Sequence, residues 1–219
     1  MRKVLLFLIC IACLLSVSAQ EKNKKEYVIS PTIEASGSFN LAIYSKTNKA
    51  EMTKKLLYSA GALFGIDCAQ KHGTLLFQTG LLVSNNDYSY NSVAFKSICL
   101  DVPFIIGYAY HINDTYSLSF SAGYIIKNLV KYDIGYGWTG QTWSEPIEGR
   151  LIHGIYGAIG FAYRASPHFT LRIEPFFEYF FHGNNTQQFQ GGFFAENMAA
   201  PIIGLRMGLK YNILKMKKL

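Results

Sequence analysis

The sequence predicts an all-β chain, an eight-stranded antiparallel up-and-down transmembrane β-barrel with short periplasmic turns and long outer loops. Three observations carry that expectation. Eight segments alternate apolar with small or polar residues at period two, the repeat of a strand with two unlike faces. The connections between them alternate short and long. The composition is half hydrophobic and 15% aromatic with only 16% charged residues, yet no segment after the N-terminus reaches the ~20 apolar residues of a membrane-spanning helix. Apolar strands placed in lipid must close on themselves, because lipid offers no partner to an open sheet edge.

The N-terminus reads as an export signal. Arg2 and Lys3 precede an apolar run from Val4 to Leu15, followed by Ser16-Val17-Ser18-Ala19-Gln20. A basic start, a short apolar stretch and small residues at a cleavage point mark a secretory signal peptide. Residues 1–19 are therefore expected to be removed, with Val17 and Ala19 in the small-residue positions; a lipoprotein signal at Cys13 is the alternative. Residues 20–26 would form a periplasmic N-terminal segment, 27–214 the barrel and 215–219 a basic tail.

The segments follow in order. The first, about 27–44, opposes Ile29, Ile33, Phe39, Leu41 and Ile43 to Ser30, Thr32, Glu34, Ser36, Ser38 and Asn40. The second, about 57–69, sets Tyr58, Ala60, Ala62, Phe64 and Ile66 against Ser59, Gly61, Gly65 and Asp67. The third, about 74–84, has Leu75, Phe77, Leu81 and Val83 opposite Gln78, Gly80 and Ser84. In the fourth, about 95–111, Ile98 through Tyr110 at even positions face away from Ser97, Asp101, Gly107 and His111. The fifth, about 115–127, alternates Tyr116, Leu118, Phe120, Tyr124 and Ile126 with serines, Gly123 and Lys127. The sixth, about 151–165, opposes Ile155, Ile159, Phe161 and Tyr163 to Gly154, Gly160 and Arg164. The seventh is the cleanest: Phe169, Leu171, Ile173, Pro175, Phe177, Tyr179 and Phe181 form one face, and Arg172, Glu174 and Glu178 lie on the other. The eighth sets Ile203, Leu205, Met207, Leu209 and Tyr211 against Arg206 and Lys210.

Tight turns are expected at 70–73, 112–114 and 166–168, which carry Gly, Asn-Asp and Ser-Pro. Longer connections fall at about 45–56, 85–94, 128–150 and 183–199. With short turns in the periplasm, both termini are periplasmic, and aromatic residues gather toward both ends of the strands as two interfacial girdles. Pro103 and Pro175 fall mid-strand, where each predicts a bulge or a locally open ladder. Cys68 and Cys99 fall on opposite faces and read as buried thiols without a disulfide.

Alternation alone does not say which face points outward. A soluble barrel of lipocalin type would turn its apolar face inward around a ligand and cover its polar face with charges. Here the polar face is mostly Ser, Gly and Thr, which suits the cramped interior of a narrow barrel. Its charges nearly balance, with Glu34, Asp67, Asp101, Glu174 and Glu178 against Lys127, Arg164, Arg172, Arg206 and Lys210. An isolated charge in such an interior costs several kcal/mol, so these residues are expected to form a structural ion-pair network that plugs the lumen.

Within the fourth and fifth segments, Cys99-Leu100-Asp101-Val102-Pro103-Phe104-Ile105-Ile106-Gly107-Tyr108, the Asn113-Asp114 turn and Ser119-Phe120-Ser121-Ala122-Gly123-Tyr124 resemble the PorT-like outer-membrane β-barrel family of Bacteroidetes. The stretch from Pro201 to Tyr211 is similar to that family's closing strand. The resemblance implies a bacterial outer-membrane location and insertion by the barrel-assembly machinery, and it carries no catalytic site. The final strand departs from the usual pattern by running on into Asn212-Ile213-Leu214 and the basic tail without a terminal Phe.

No cofactor or metal site is expected. The five histidines, His72, His111, His153, His168 and His182, are scattered singly without metal-ligand spacing. Loss of Arg2 and Lys3 lowers the formal charge of +7 by two, and no basic face with a nucleic-acid motif appears. An outer-membrane lipid-A-modifying enzyme would need a Ser–His–acid set. His153, with Ser144, Glu145 and Glu148 in the preceding loop, is the nearest approach, but no hydroxyl is paired to the ring on its own strand. The reading is therefore not an enzyme. Loop aromatics are the better functional candidates: Tyr132, Tyr136, Trp138 and Trp143 in the third long loop, and Phe189, Phe193 and Phe194 in the fourth. Exposed rings on loops mark contact with a protein or glycan partner. The expected protein is a monomer in contact with outer-membrane lipid and lipopolysaccharide; Lys46, Lys49, Lys54 and Lys55 in the first long loop read as an ordinary solvated loop, with contact to lipopolysaccharide phosphates as the alternative.

Overall fold

The computed structural model describes residues 28–42, 53–54, 57–70, 72–85, 88–90, 93–136, 142–144, 150–181 and 201–213. The predicted signal peptide, the 20–26 segment and the 215–219 tail lie outside the described residues, as do Trp138, Phe189, Phe193 and Phe194. Eleven strands are present: β1 (Val28–Ala42), β2 (Thr53–Lys54), β3 (Leu57–Gln70), β4 (Gly73–Asn85), β5 (Tyr88–Tyr90), β6 (Val93–His111), β7 (Tyr116–Tyr136), β8 (Thr142–Ser144), β9 (Arg150–Arg164), β10 (Phe169–Phe181) and β11 (Ile202–Asn212). Eight of them are the staves of a closed barrel, in the order β1-β3-β4-β6-β7-β9-β10-β11. Antiparallel pairing of β1 with β11, from Thr32↔Asn212 to Ala42↔Ile202, closes the ring. The short strands β2, β5 and β8 extend it at the long-loop end.

The direction of the two faces is settled by exposure. On β6, Phe104 is 50% exposed, Ile105 5% and Ile106 47%. On β10 every odd residue from Phe169 to Phe181 points outward and every even one is buried. The apolar rows thus form the outer wall and the Ser, Thr, Gly and charged rows form the lumen. This overturns the lipocalin alternative, which requires the opposite arrangement. Of the two cysteines, Cys99 is buried in the lumen, whereas Cys68 lies on the outward row and is only half-buried, a correction to its expected burial.

Tight connections join β3 to β4, β6 to β7 and β9 to β10. In the second, the Asn113 side chain accepts hydrogen bonds from the Thr115 and Tyr116 N–H groups at 2.9 and 2.8 Å. In the third, Ser166 Oγ accepts from the N–H groups of His168 and Phe169. These local side-chain bonds let the chain reverse without a longer loop. Around them Tyr116 stacks on Phe161, and Phe169 and His168 both pack on Tyr211, forming part of an aromatic belt at this short-turn end.

Both mid-strand prolines open the ladder locally. Between β4 and β6 the pairs Thr79↔Phe104 and Leu82↔Asp101 share one register, but the two rungs between them, including Pro103, are missing. Between β10 and β9 the rungs from Ile173↔Phe161 to Phe176↔Ala158 skip Glu174 and Pro175 in the same way. A proline has no N–H to give to the ladder. Each opens one side only, and pairing with the other neighbour continues through Pro103↔Ile125 and Pro175↔Leu205.

The third long connection is shorter than the sequence suggested. β6 and β7 continue to pair from Ile98↔Lys131 up to Val93↔Tyr136, beyond a bulge at Ile98/Cys99 that inserts Val130. Tyr132 and Tyr136 are therefore strand residues rather than loop residues, paired with Ser97 and Val93. Trp143 is likewise on a strand, β8, opposite Ile134.

Candidate functional site, a filled lumen and a projecting hairpin

Two places concentrate residues of interest: the barrel interior and the sheet extension above it. The interior begins with β10 and β11. Arg172, near the start of β10, is 4% exposed and directs Nη2 at Glu34 Oε1 (3.1 Å) and Glu174 Oε2 (3.2 Å). The same nitrogen donates to Gln78 Oε1 at 3.0 Å, and Gln78 Nε2 donates to Glu34 Oε2 at 3.0 Å. Four side chains from β1, β4 and β10 thus form one hub across the barrel. Two glycines make room for it. A Cβ on Gly208 would run into the Glu34 carboxylate, and one on Gly160 would lie 2.9 Å from Glu174 Oε1. Beside the hub, Lys210 Nζ meets Asp67 Oδ2 at 2.5 Å.

Farther toward the long loops the filling changes. Leu57, Ile105, Ile125, Tyr156, Phe176, Phe180 and Ile202 pack together as a buried apolar cluster inside the barrel. The charges here sit against rings. The Arg206 guanidinium lies 4.7 Å from the Tyr156 ring centroid and 5.2 Å from that of Phe176, and Lys127 Nζ lies 4.9 Å from Phe180. Such placements stabilise a cation through the ring quadrupole while excluding water. Arg206 also donates to Tyr156 Oη at 3.1 Å and reaches Glu178 at 4.0 Å, and Lys127 pairs with Asp101 at 3.4 Å. Tyr156 Oη in turn donates to Glu174 at 3.5 Å and so ties the ring cluster to the hub.

Of the ten charged residues singled out in the sequence, nine are buried and joined by these contacts. The tenth, Arg164, is half-buried at the short-turn rim, where it lines a cavity of about 40 Å³. The residues that sequence reasoning missed are the lumen rings and aliphatics, Tyr156 and Ile105 above all.

His153 faces outward near the start of β9, and its Nδ1 is 2.8 Å from Tyr124 Oη with the rings stacked. Ser144 lies on β8, paired with Asp133 of β7, while Glu145 and Glu148 lie outside the described residues. Among the described residues no three His, Cys, Asp or Glu side chains gather as a metal site would require.

At the long-loop end, β6 and β7 are the longest strands, at 19 and 21 residues. With β5, β2 and β8 they form a sheet that rises past the neighbouring staves on one side. The backbone positions of Tyr132, Tyr136 and Trp143 all fall on this extension.

No family model and no curated protein matches the chain. Solved structures do. Neisserial surface protein A is 12% identical with a TM-score of 0.52, covering 85% of this chain and 99% of its own. The attachment invasion locus protein Ail of Yersinia pestis is 13% identical with a TM-score of 0.47, over 86% and 99%. The N-terminal β-barrel domain of Pseudomonas aeruginosa OprF is 14% identical with a TM-score of 0.44, over 84% and 97%. The likeness to the first is one of fold, the closed eight-stranded antiparallel barrel of the outer membrane.

Proposed function

We propose that the chain is a bacterial outer-membrane barrel whose filled lumen is structural and whose activity is binding by the long-loop end. The short turns then face the periplasm and the long loops the outside. The PorT-like resemblance of residues 99–124 and 201–211 supports the same placement and insertion by the barrel-assembly machinery. The exposed apolar wall supports a lipid environment, since a patch of this extent in water would drive association.

The observation that carries the binding reading is the projecting β6–β7 pair. The extension holds the backbone of Tyr132, Tyr136 and Trp143 in paired strands, and the sequence joining β7 to β8 carries Trp138. Aromatic residues carried on paired backbone have less backbone freedom to lose on contact than residues of an open loop, which favours binding of a protein or glycan partner. The test is a glycan and protein array probed with the detergent-folded chain and with a Trp138→Ser, Trp143→Ser variant. Selective binding that the variant loses supports the reading; wild-type and variant behaving alike on every ligand removes it. Among the described residues His153 bonds Tyr124, which gives the lipid-A-modifying alternative no support.

A further inference from the structure

The sheet extension at the long-loop end reverses the rule that the barrel wall obeys. In the wall, apolar rows face outward and polar rows face the lumen. Ser97, 3% exposed, belongs to the lumen row of β6, while Lys96 and Ile98 beside it are exposed. Pairing carries this lumen row across the extension. Tyr132 lies opposite Ser97, and farther along the same two strands Phe95 lies opposite Ile134 and Val93 opposite Tyr136. On the flanks, β5 sets Tyr88 against Phe95 and Tyr90 against Val93, and β8 sets Trp143 against Ile134. Residues paired across an antiparallel ladder share a face, as do residues two apart on one strand. Tyr88, Tyr90, Phe95, Tyr132, Tyr136 and Trp143 therefore belong to the lumen-side row. The other row holds Ser89, Ala94, Lys96, Lys131, Asp133 and Thr142.

The reversal has a physical cause. The wall stands in lipid, so its outward row is apolar. The extension rises beyond the wall, and a sheet with one face in water keeps its polar row there and its apolar row on the other face. That other face is concave, because the extension prolongs the barrel: β2 and β5 continue the staves of β3 and β4, and β8 continues that of β9.

The composition of the lumen-side row selects its occupant. Five of its six aromatic residues carry a polar atom, four as tyrosine hydroxyls and one as the indole N–H of Trp143, and only Val93 and Ile134 on the row are aliphatic. Such rings offer an apolar face and a polar tip, which matches a ligand presenting C–H faces and hydroxyl groups together, as a sugar ring does. The row has no carboxylate and one cation, Lys54 opposite Tyr88, so its charge complements an uncharged chain. The curvature of an eight-stranded barrel suits a slender chain on the concave side rather than a folded domain. We infer that the lumen-side face of the extension is a cleft for a neutral glycan chain. This rests on the binding role proposed above for the long-loop end, and assigns that role a face and a ligand class.

The experiment is an array of neutral and anionic linear oligosaccharides, probed with the full chain folded in detergent and checked by gel mobility. Each oligosaccharide bound is then titrated through the fluorescence of the two tryptophans. Selective binding of neutral oligosaccharides is expected. Tyr90→Ala on β5 and Tyr132→Ala on β7 should each weaken it about three- to tenfold, the range of one aromatic contact. Lys96→Gln and Lys131→Gln, on the outward row, should leave it unchanged. The two tyrosines lie on different strands, so either folded variant keeps the test sharp. Neutral binding that ignores both tyrosine variants, or that falls as far in the lysine variants, overturns the inference. A preference for anionic oligosaccharides, or binding to proteins alone, overturns it too and leaves the binding role of the long-loop end standing. Absence of any selective ligand removes the role and the inference together.

Discussion

The two halves of the lumen are filled by different means. Toward the short turns, Arg172, Glu34, Glu174 and Gln78 share hydrogen bonds, and Lys210 meets Asp67, beside a recess open to water. Toward the long loops, Phe176, Phe180, Tyr156, Ile105 and Ile125 pack as a hydrocarbon core would, and the charges there lie over rings. The difference teaches that a narrow barrel does not need a uniformly polar interior. Charges can occupy it only where partners from several strands converge, and rings fill the remainder.

The comparison can be broken by removing one member from each half and following denaturant unfolding by gel mobility in lipid vesicles. Arg172→Met should have the largest effect, about 3–5 kcal/mol, because Glu34 and Glu174 are left as buried charges without their cation. A loss below about 1 kcal/mol would show that water enters and screens that half freely. Phe180→Ala should cost about 3 kcal/mol through the void it leaves, and a near-neutral result would mean that the upper half is loosely filled. Tyr156→Phe, at the junction, removes a hydroxyl that accepts from Arg206, and about 1.5 kcal/mol is expected. On the outer wall, Tyr124→Phe removes only an exposed hydrogen bond to His153, and the midpoint should move by no more than about 0.5 kcal/mol.

Much of the barrel could be read in the residues because its wall obeys one rule. On β10 the alternation runs unbroken, and both faces followed from it. The apolar half of the lumen was hidden by the same rule, since an inward ring looks like noise in an alternating pattern. Its signal lies in doubled residues: Ile105-Ile106, Ile125-Ile126, Phe176-Phe177, Phe180-Phe181 and Ile202-Ile203 each put one copy in the cluster and one on the outer wall. The upper part of β7 reads as loop because the bulge at Val130 shifts the phase by one residue, so Lys131 no longer continues the inward row of Ile125, Lys127 and Leu129. The partners inside the hub were out of reach for another reason. Glu34 and Arg172 are 138 positions apart, and only barrel closure brings them together.

The central claim is that side chains fill this barrel from wall to wall, ions at one end and rings at the other. Planar-bilayer recording of the purified, folded chain tests it most directly. A silent bilayer, with at most brief and irregular openings, is the predicted result. A large, steady single-channel conductance would contradict it, because such a current needs a water-filled path past Phe176, Phe180, Tyr156 and the Arg172 hub.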